Sequence, residues 1–447
     1  MRLHLLSALG ALLLGLVAAL PALAAVDIQE LTSPKGQEFW LVEEHSIPII
    51  AIEIGFRGGS RLDPEGKAGL AEFTMGLLNE GAGEMDAVAF ANRAADISAR
   101  LGFSAARDQV SVSGRFLSET LDEGVELLAT ALTDPRFDAD PVARVRGQML
   151  SAIAQEATDP GAIASRAWFA DAFPDHPYGT PQSGTRDSVR AITVEDLHTA
   201  RERLLTRANA RIAIVGDVGA ETAGQIVDQL MADLAEGEPV EIEPADSTPP
   251  PGLTVIEQNV PQSVAVFGEA GIARDDPDFF PAYVMNHILG GGGLTSRLTE
   301  EVREKRGLAY SVYSYLVDLA EAKLYMGGVQ TANERIAESL ELIRAEWARM
   351  AEGGVTEAEL EAAKTYLTGS FPLQFDSNAK IAGYLVFVQI EDLGRDYINE
   401  RNGFIEAVTR EDIARAATRL LDPEALSFIV VGQPVGLEAD GLDADGE

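Results

Sequence analysis

The chain has no cysteine among its 447 residues. That single absence excludes disulfide frameworks, thiol nucleophiles and thiolate metal sites. Histidine is nearly as scarce: His4, His45, His176, His198 and His287 are all there are. No two of them stand three or four residues apart, so no helix offers one metal ion a pair of imidazoles. They read as surface or capping side chains. Basic residues number 35 against 71 acidic ones, giving a formal net charge of −36. A polyanion of this size is repelled by phosphate backbones, which argues against a nucleic-acid partner. The Gly-x-Ser-x-Gly turn that exposes a nucleophilic serine does not occur. Beyond the N-terminus, no segment is apolar enough to cross a bilayer.

What is present begins with "MRLHLLSALGALLLGLVAALPALAA". Arg2 is a short positive region, Leu3 to Leu20 is apolar, Pro21 breaks the run, and Ala22-Leu23-Ala24 is a small-residue cleavage pattern. The pattern reads as an export signal over residues 1–25, with an uncleaved membrane anchor as the alternative. Glu236 to Leu253 is acidic and proline-rich, a composition that resists regular structure, and reads as a linker over 236–252. It separates an N-terminal domain (26–235) from a C-terminal one (253–435), with an acidic tail over 436–447 that reads as disordered.

The two parts look like copies. "ITVEDLHTARERLLTRANARIAIVGDV" closes the first and "VTREDIARAATRLLDPEALSFIVVGQP" the second. Thr193 aligns with Thr409, Asp196 with Asp412, Leu205 with Leu421 and Gly216 with Gly432, each pair 216 residues apart. Each segment predicts a capped helix and then a strand ending in glycine. "IPIIAIEIGFRGGSR" and "PQSVAVFGEAGIARD" open the two parts as strands running into glycine turns. Helical patterns cover Val88 to Leu101, Leu117 to Thr133, Arg335 to Glu352 and Glu357 to Ser370; "DQVSVSGRF" and "LYMGGVQT" read as strands. Strands and helices mix without strict alternation. The expected fold class is therefore α+β, as two tandem homologous domains, each a mixed sheet with helices packed on one face.

Three stretches bear on chemistry. In "GLAEFTMGLLNEG", Leu70, Phe73, Thr74, Leu77 and Leu78 form one buried helical stripe, leaving Glu72, Met75, Gly76 and Asn79 on the other face. Glu72 and Gly76 stand at i and i+4, the spacing of two ligands on a zinc-binding helix, but one is a lone carboxylate and the other has no side chain. "LGGGGLTSRL" lacks the Gly-Lys-Ser/Thr ending of a phosphate loop. It reads as a flexible turn, or as a loop touching an extended ligand. In "SRLTEEVREKRGLAYSVYSYL", Leu298 and Val302 mark a buried helix stripe, Gly307 ends the helix and an alternating strand follows. Arg303 and Tyr310 stand seven residues apart across that turn. On composition alone they are a solvated helix face and an aromatic strand.

"GGSRLDPEGKAGLAEF", "HPYGTPQSGTRDSVRAITVEDL" and "GGGGLTSRLTEEVREKRGLAYSVYSYL" together resemble the pitrilysin/insulinase family of zinc peptidases, the inverzincins. The resemblance covers nearly all of Val26 to Pro434 and implies a clamshell of paired α+β domains that encloses a peptide. The family carries His-x-x-Glu-His on the helix that here reads "EFTMG". Glu72 holds the first histidine position, Met75 that of the general-base glutamate and Gly76 that of the second histidine. The third ligand, a glutamate on a later helix, falls at Ala152 or a near neighbour, with Glu156 one turn on. Met75 has no exchangeable proton and Gly76 no donor atom, so no metal is expected in this chain. Arg303 and Tyr310 match in place and spacing the pair that, in the family, reaches the zinc-bound substrate. Arginine would hold backbone carbonyls through its donor fork, and tyrosine would donate to the developing oxyanion.

A chain with that pair but without the zinc motif resembles the non-catalytic subunit of two-chain family members. The resemblance implies a homologous zinc-bearing partner, zinc in that partner, a peptide substrate, action of Arg303 and Tyr310 in trans, and Gly290, Gly291, Gly292 and Gly293 as a substrate-contacting loop. The export signal places such a protein in the periplasm or envelope. Two alternatives stand beside this: a peptide-binding or envelope-assembly protein without peptidase work, and a metalloendopeptidase with atypical ligands.

Overall fold

The computed structural model describes residues 27–240, 244–245 and 249–437. The expected export signal and most of the acidic tail lie outside the described residues.

The first half forms a six-stranded sheet from β1 (Gln29–Thr32), β2 (Glu38–Glu43), β3 (Ile49–Arg57), β4 (Arg100–Ala105), β5 (Gln109–Leu117) and β6 (Ala210–Gly216). Their spatial order is β1-β2-β6-β3-β5-β4. The second half forms a five-stranded sheet from β7 (Gly252–Glu257), β8 (Gln262–Ala270), β9 (Ala309–Asp318), β10 (Lys323–Ala332) and β11 (Ser427–Gly432), in the order β9-β10-β8-β11-β7. Apart from β1, the two orders superpose. In each, the central strand (β3 or β8) is antiparallel to both neighbours, and the last strand of the half (β6 or β11) also pairs parallel with the first or second. The fold is thus two tandem α+β domains with mixed sheets.

The helices that matter below are α1 (Leu70–Met75), α2 (Leu121–Thr133), α3 (Ala139–Glu156), α4 (Pro160–Ala172), α5 (Val194–Leu204), α6 (Phe279–Asn286), α7 (Ile336–Gly353), α8 (Glu357–Ser370), α9 (Asn378–Ile390), α10 (Tyr397–Ala407) and α11 (Arg410–Leu420). The repeat noted in sequence is visible atom by atom. Thr193 caps α5 and Thr409 caps α11, each accepting from the backbone three residues on while Asp196 or Asp412 returns the bond. Gly216 and Gly432 end β6 and β11 with φ of 144° and 150°. A Cβ on Gly216 would collide with the Ile49 carbonyl, so the glycine is sterically required there.

Each half covers one sheet face with its own helices. Ile50, Ile52, Ile54 and Phe56 of β3 point into a core with α1, α2, α3 and α5. The opposite faces are covered reciprocally. Helix α9 of the second half lies on β3 and β6, burying Ala382, Leu385 and Val386 against Ala51, Ala213 and Val215. Helix α4 of the first half lies on β8 and β11, burying Ala164 and Trp168 among Met326, Ile429 and Val431. Glycine makes both approaches possible. A Cβ on Gly55 would stand 2.7 Å from Val386, and one on Gly268 2.8 Å from Trp168. Polar anchors fix the crossing: the Asn378 amide donates to the Ile49 carbonyl (3.0 Å) and Arg57 to the Ile390 carbonyl (2.6 Å).

Two helical patterns are shorter than their periodicity predicts. The pattern from Val88 ends at Asp96, because Ser98 takes a positive φ of 55° and turns the chain into β4. The pattern over Gly69 to Gly81 gives only α1, followed by tight turns in which Leu77 and Leu78 donate to the carbonyls of Thr74 and Met75. The stripe Leu70, Phe73, Thr74, Leu77 and Leu78 is buried as expected. Met75 is not on the polar face: it is 1 % exposed and sits in the core, one turn after the fully buried Ala71 on the same side of the helix, so a second side of α1 is covered as well.

Candidate functional site

Helix α1 is held at its start by Asp63, whose carboxylate accepts from the N–H groups of Gly69, Leu70 and Ala71 at 2.9–3.0 Å. Burial pushes the Asp63 pKa up to about 6 against those three bonds. The anchored helix aims Glu72 into a cavity of about 330 Å³, which Glu156 from α3 also lines. Burial and the nearby Glu156 charge raise the Glu72 pKa. Glu156 accepts from the Ser183 hydroxyl at 3.0 Å and faces Arg166 at 4.0 Å. Arg107 completes the charged lining; its guanidinium stacks 4.2 Å from the Phe169 ring and its Nε has no hydrogen-bond partner among the described residues.

The other positions aligned with the zinc motif do not enter this cavity. Gly76 is exposed at the end of α1, and Met75 is in the core. Ala152 is exposed on α3, and Glu156, one turn on, is the residue of that helix that reaches the cavity. A catalytic zinc takes about three protein ligands. Here two carboxylates stand beside two guanidinium groups, and no three His, Asp or Glu side chains among the described residues are grouped to hold a metal ion. The donor set does not fit zinc. The four described histidines are engaged elsewhere. His45 contacts Asp217 (2.8 Å) and Glu43 (3.3 Å), His198 packs on Phe137 and His287 stacks on Tyr366. His176 accepts from the Tyr178 N–H.

Arg303 and Tyr310 come together in the second half. Arg303 lies in a wide turn over Thr299–Glu304 of π type, where the Lys305 N–H reaches back five residues to Glu300. Gly307 closes the turn with φ 60° and donates to the Arg303 carbonyl. Strand β9 starts with a bulge: Ala309 pairs with Thr331 and Ser311 with Gln330, leaving Tyr310 as the extra residue. A bulge re-aims the side chain it carries, and Tyr310 is 83 % exposed. The Arg303 guanidinium sits 5.1 Å from the Tyr310 ring centroid and 3.3 Å from Glu304. Neither residue lines the Glu72 cavity. Downstream, Tyr313 and Tyr315 stack along the same edge strand, centroids 6.0 Å apart.

Of the glycine run only Gly290 is buried; Gly292 is half-buried, and Gly291 and Gly293 are exposed. Gly290 is buried against Ser314, and a Cβ on Gly291 would meet the Asn286 amide at 2.7 Å. Gly293 faces open space with φ 58°, and Leu294 beside it is exposed. Of the cavity residues, Arg107, Arg166 and Ser183 escaped sequence reasoning, because nothing in their spacing ties them to Glu72. Glu156 was visible only as a neighbour of Ala152, and helical i, i+4 geometry was the signal that could have chosen it.

This arrangement, paired α+β domains with a zinc position that lacks both histidines and the general-base glutamate, defines a class that the comparisons identify. Residues 39–186 match Insulinase (Peptidase family M16), and residues 191–367 match the Peptidase M16 inactive domain. A Helicobacter pylori protein described as the non-peptidase homologue YmxG is 29 % identical over 364 residues, covering 81 % of this chain and 84 % of that one. An uncharacterized zinc protease of Mycobacterium leprae is 30 % identical over 353 residues, covering 76 % and 78 %. The crystal structure of a peptidase M16 inactive domain from Pseudomonas fluorescens superposes with a TM-score of 0.87 at 30 % identity, covering 92 % of this chain and 99 % of that one. The chain belongs to the M16 peptidase family and is of its non-catalytic type, without the His-x-x-Glu-His motif.

Proposed function

We propose that the chain is the non-catalytic subunit of a two-chain exported zinc peptidase, working in the periplasm or envelope. It closes the peptide chamber of a homologous zinc-bearing partner and supplies Arg303 and Tyr310 to that partner's site. The observation that carries this reading is the asymmetry between the two sets of family residues. The zinc motif keeps neither histidine nor the general-base glutamate, while Arg303 and Tyr310 stand side by side, with the tyrosine lifted out on a bulge. No hydrolytic step is assigned to this chain alone. In the assembled site the guanidinium would hold peptide carbonyls. The tyrosine hydroxyl would donate to the oxyanion that develops on the scissile carbonyl, and the partner's zinc would supply the activated water. Loss of one such donor lowers turnover about 100- to 1,000-fold.

The test pairs this chain with the M16 protein that co-purifies with it. The chain alone should bind no stoichiometric zinc and cleave no peptide. The pair should cleave, and Tyr310→Phe should slow turnover by about two orders of magnitude while the subunits stay associated. Stoichiometric zinc on the lone chain, or unchanged turnover in both Arg303→Ala and Tyr310→Phe, would sink the proposal. Co-purification only with itself or with an unrelated envelope complex would favour a binding or assembly role.

A further inference from the structure

A second cavity, of about 200 Å³, lies in the C-terminal half between α6, α9, α10 and the end of α8. Seven of its ten lining residues are aromatic, and the others are Arg274, Gln374 and Arg401. No carboxylate among the described residues lines it, in a chain with twice as many acidic as basic residues. Arg274 is neutralised, since its Nε donates to Asp318 at 3.0 Å. Arg401 is not. It is 7 % exposed, and its guanidinium donates to the Tyr283 hydroxyl (3.1 Å), the Asn402 side-chain carbonyl (3.3 Å) and the Leu367 carbonyl (3.4 Å). The Phe371 and Tyr283 rings stand 4.2 and 5.4 Å from it. Every one of these partners is neutral. Neutral acceptors and ring faces offset part of the cost of burying a cation, but a counter-charge offsets far more. Tyr384 and Tyr397 also line the cavity, and their hydroxyls have no hydrogen-bond partner among the described residues.

The geometry points to a binding site for a small organic carboxylate with a flat apolar body. The carboxylate would take the Arg401 guanidinium and the free tyrosine hydroxyls, and the body would lie among the phenylalanine rings. The volume suits one ring and its carboxylate. Two of the walls, Tyr384 and Phe387, belong to α9, whose other face lies on the first sheet. A bound acid therefore also strengthens the docking of the two halves. This inference does not depend on the peptidase-subunit reading.

Calorimetry on the full chain tests it with phenylacetate as the probe. Phenylacetate should bind stoichiometrically and raise the melting temperature. Phenylacetamide and inorganic phosphate, which lack the charge or the ring, should bind at least about tenfold more weakly. Arg401→Gln should weaken phenylacetate by about tenfold or more. If that variant does not fold, Tyr384→Phe serves, with a severalfold loss expected. A tetrapeptide ending in phenylalanine, compared with its C-terminal amide, separates the sources: binding of the acid form alone identifies a peptide terminus, and binding of phenylacetate alone identifies a free acid. No uptake of phenylacetate by the folded wild type up to about 10 mM, or phosphate binding as tightly, overturns the proposal.

Discussion

Glu53 stands in the middle of β3 on the face that α9 covers, between Ala51 and Gly55. Burial alone pushes its pKa up to about 7 from an ordinary 4.5. A carboxyl whose folded pKa is raised stabilises the fold below its unfolded pKa. That contribution is lost as pH climbs through the folded value, because the folded chain binds the proton that the unfolded chain releases. Over the interval between 4.5 and about 7, at about 1.4 kcal/mol per unit, the loss is about 3.5 kcal/mol at most, and about 2 kcal/mol if water reaches the group. Glu53→Gln removes the titration and keeps the shape. Urea titrations of both proteins at about pH 4.5 and pH 8 should give nearly equal stabilities at the acid end and a more stable variant, by about 2 kcal/mol, at the alkaline end. Comparing the pair at each pH cancels other titrating groups, among them His287, whose pKa burial lowers. The same stability difference at both pH values, with unchanged m, would refute the argument that α9 seals a neutral carboxyl against β3.

Glu359 titrates with the opposite sign. It accepts two bonds from the buried Arg297, at 2.7 and 2.9 Å, and returns the cap of Thr356, which holds its pKa at about 2. Its stabilisation is present above about pH 4.5 and lost as pH falls toward 2. Glu359→Gln should therefore cost about 2 kcal/mol at neutral pH and much less in acid, read by chemical denaturation. Trp168→Ala should destabilise by about 3–5 kcal/mol, since the indole is fully buried on the other half's sheet; a loss under about 1 kcal/mol would show that α4 is not seated there. Gly268→Val should be similarly damaging, because a Cβ at this position stands 2.8 Å from that indole. With a net charge of −36, the melting temperature should rise as salt screens the self-repulsion, and a fall with added sodium chloride would contradict this.

The repeat was legible because capping chemistry is local. Thr193 with Asp196 and Thr409 with Asp412 need only three residues to form a reciprocal cap, and both caps are present. Strand starts were legible for the same reason: alternation at Ile50, Ile52 and Ile54 states which face is buried. It does not state what lies on the other face. The small residues Ala51 and Gly55 were a trace of close approach, yet the helix that approaches comes from more than 300 residues downstream. At the candidate site, the loss of zinc ligands could be read from Glu72, Met75 and Gly76. The burial of Met75 could not, because one apolar stripe does not state that a second side of the helix, Ala71 with Met75, is covered too.

The sequence by itself determined the chemical inventory: no thiol, no pair of histidines at ligand spacing, and an arginine and a tyrosine seven residues apart around a glycine. Tertiary structure alone decided which groups meet. It set Glu156 rather than Ala152 beside Glu72, lifted Tyr310 onto the surface through a one-residue bulge, and exchanged α4 and α9 between the sheets. The reason is range. Composition and short periodicities fix what a segment can form, whereas the partner of a buried face is chosen by the packing of surfaces far apart in the chain.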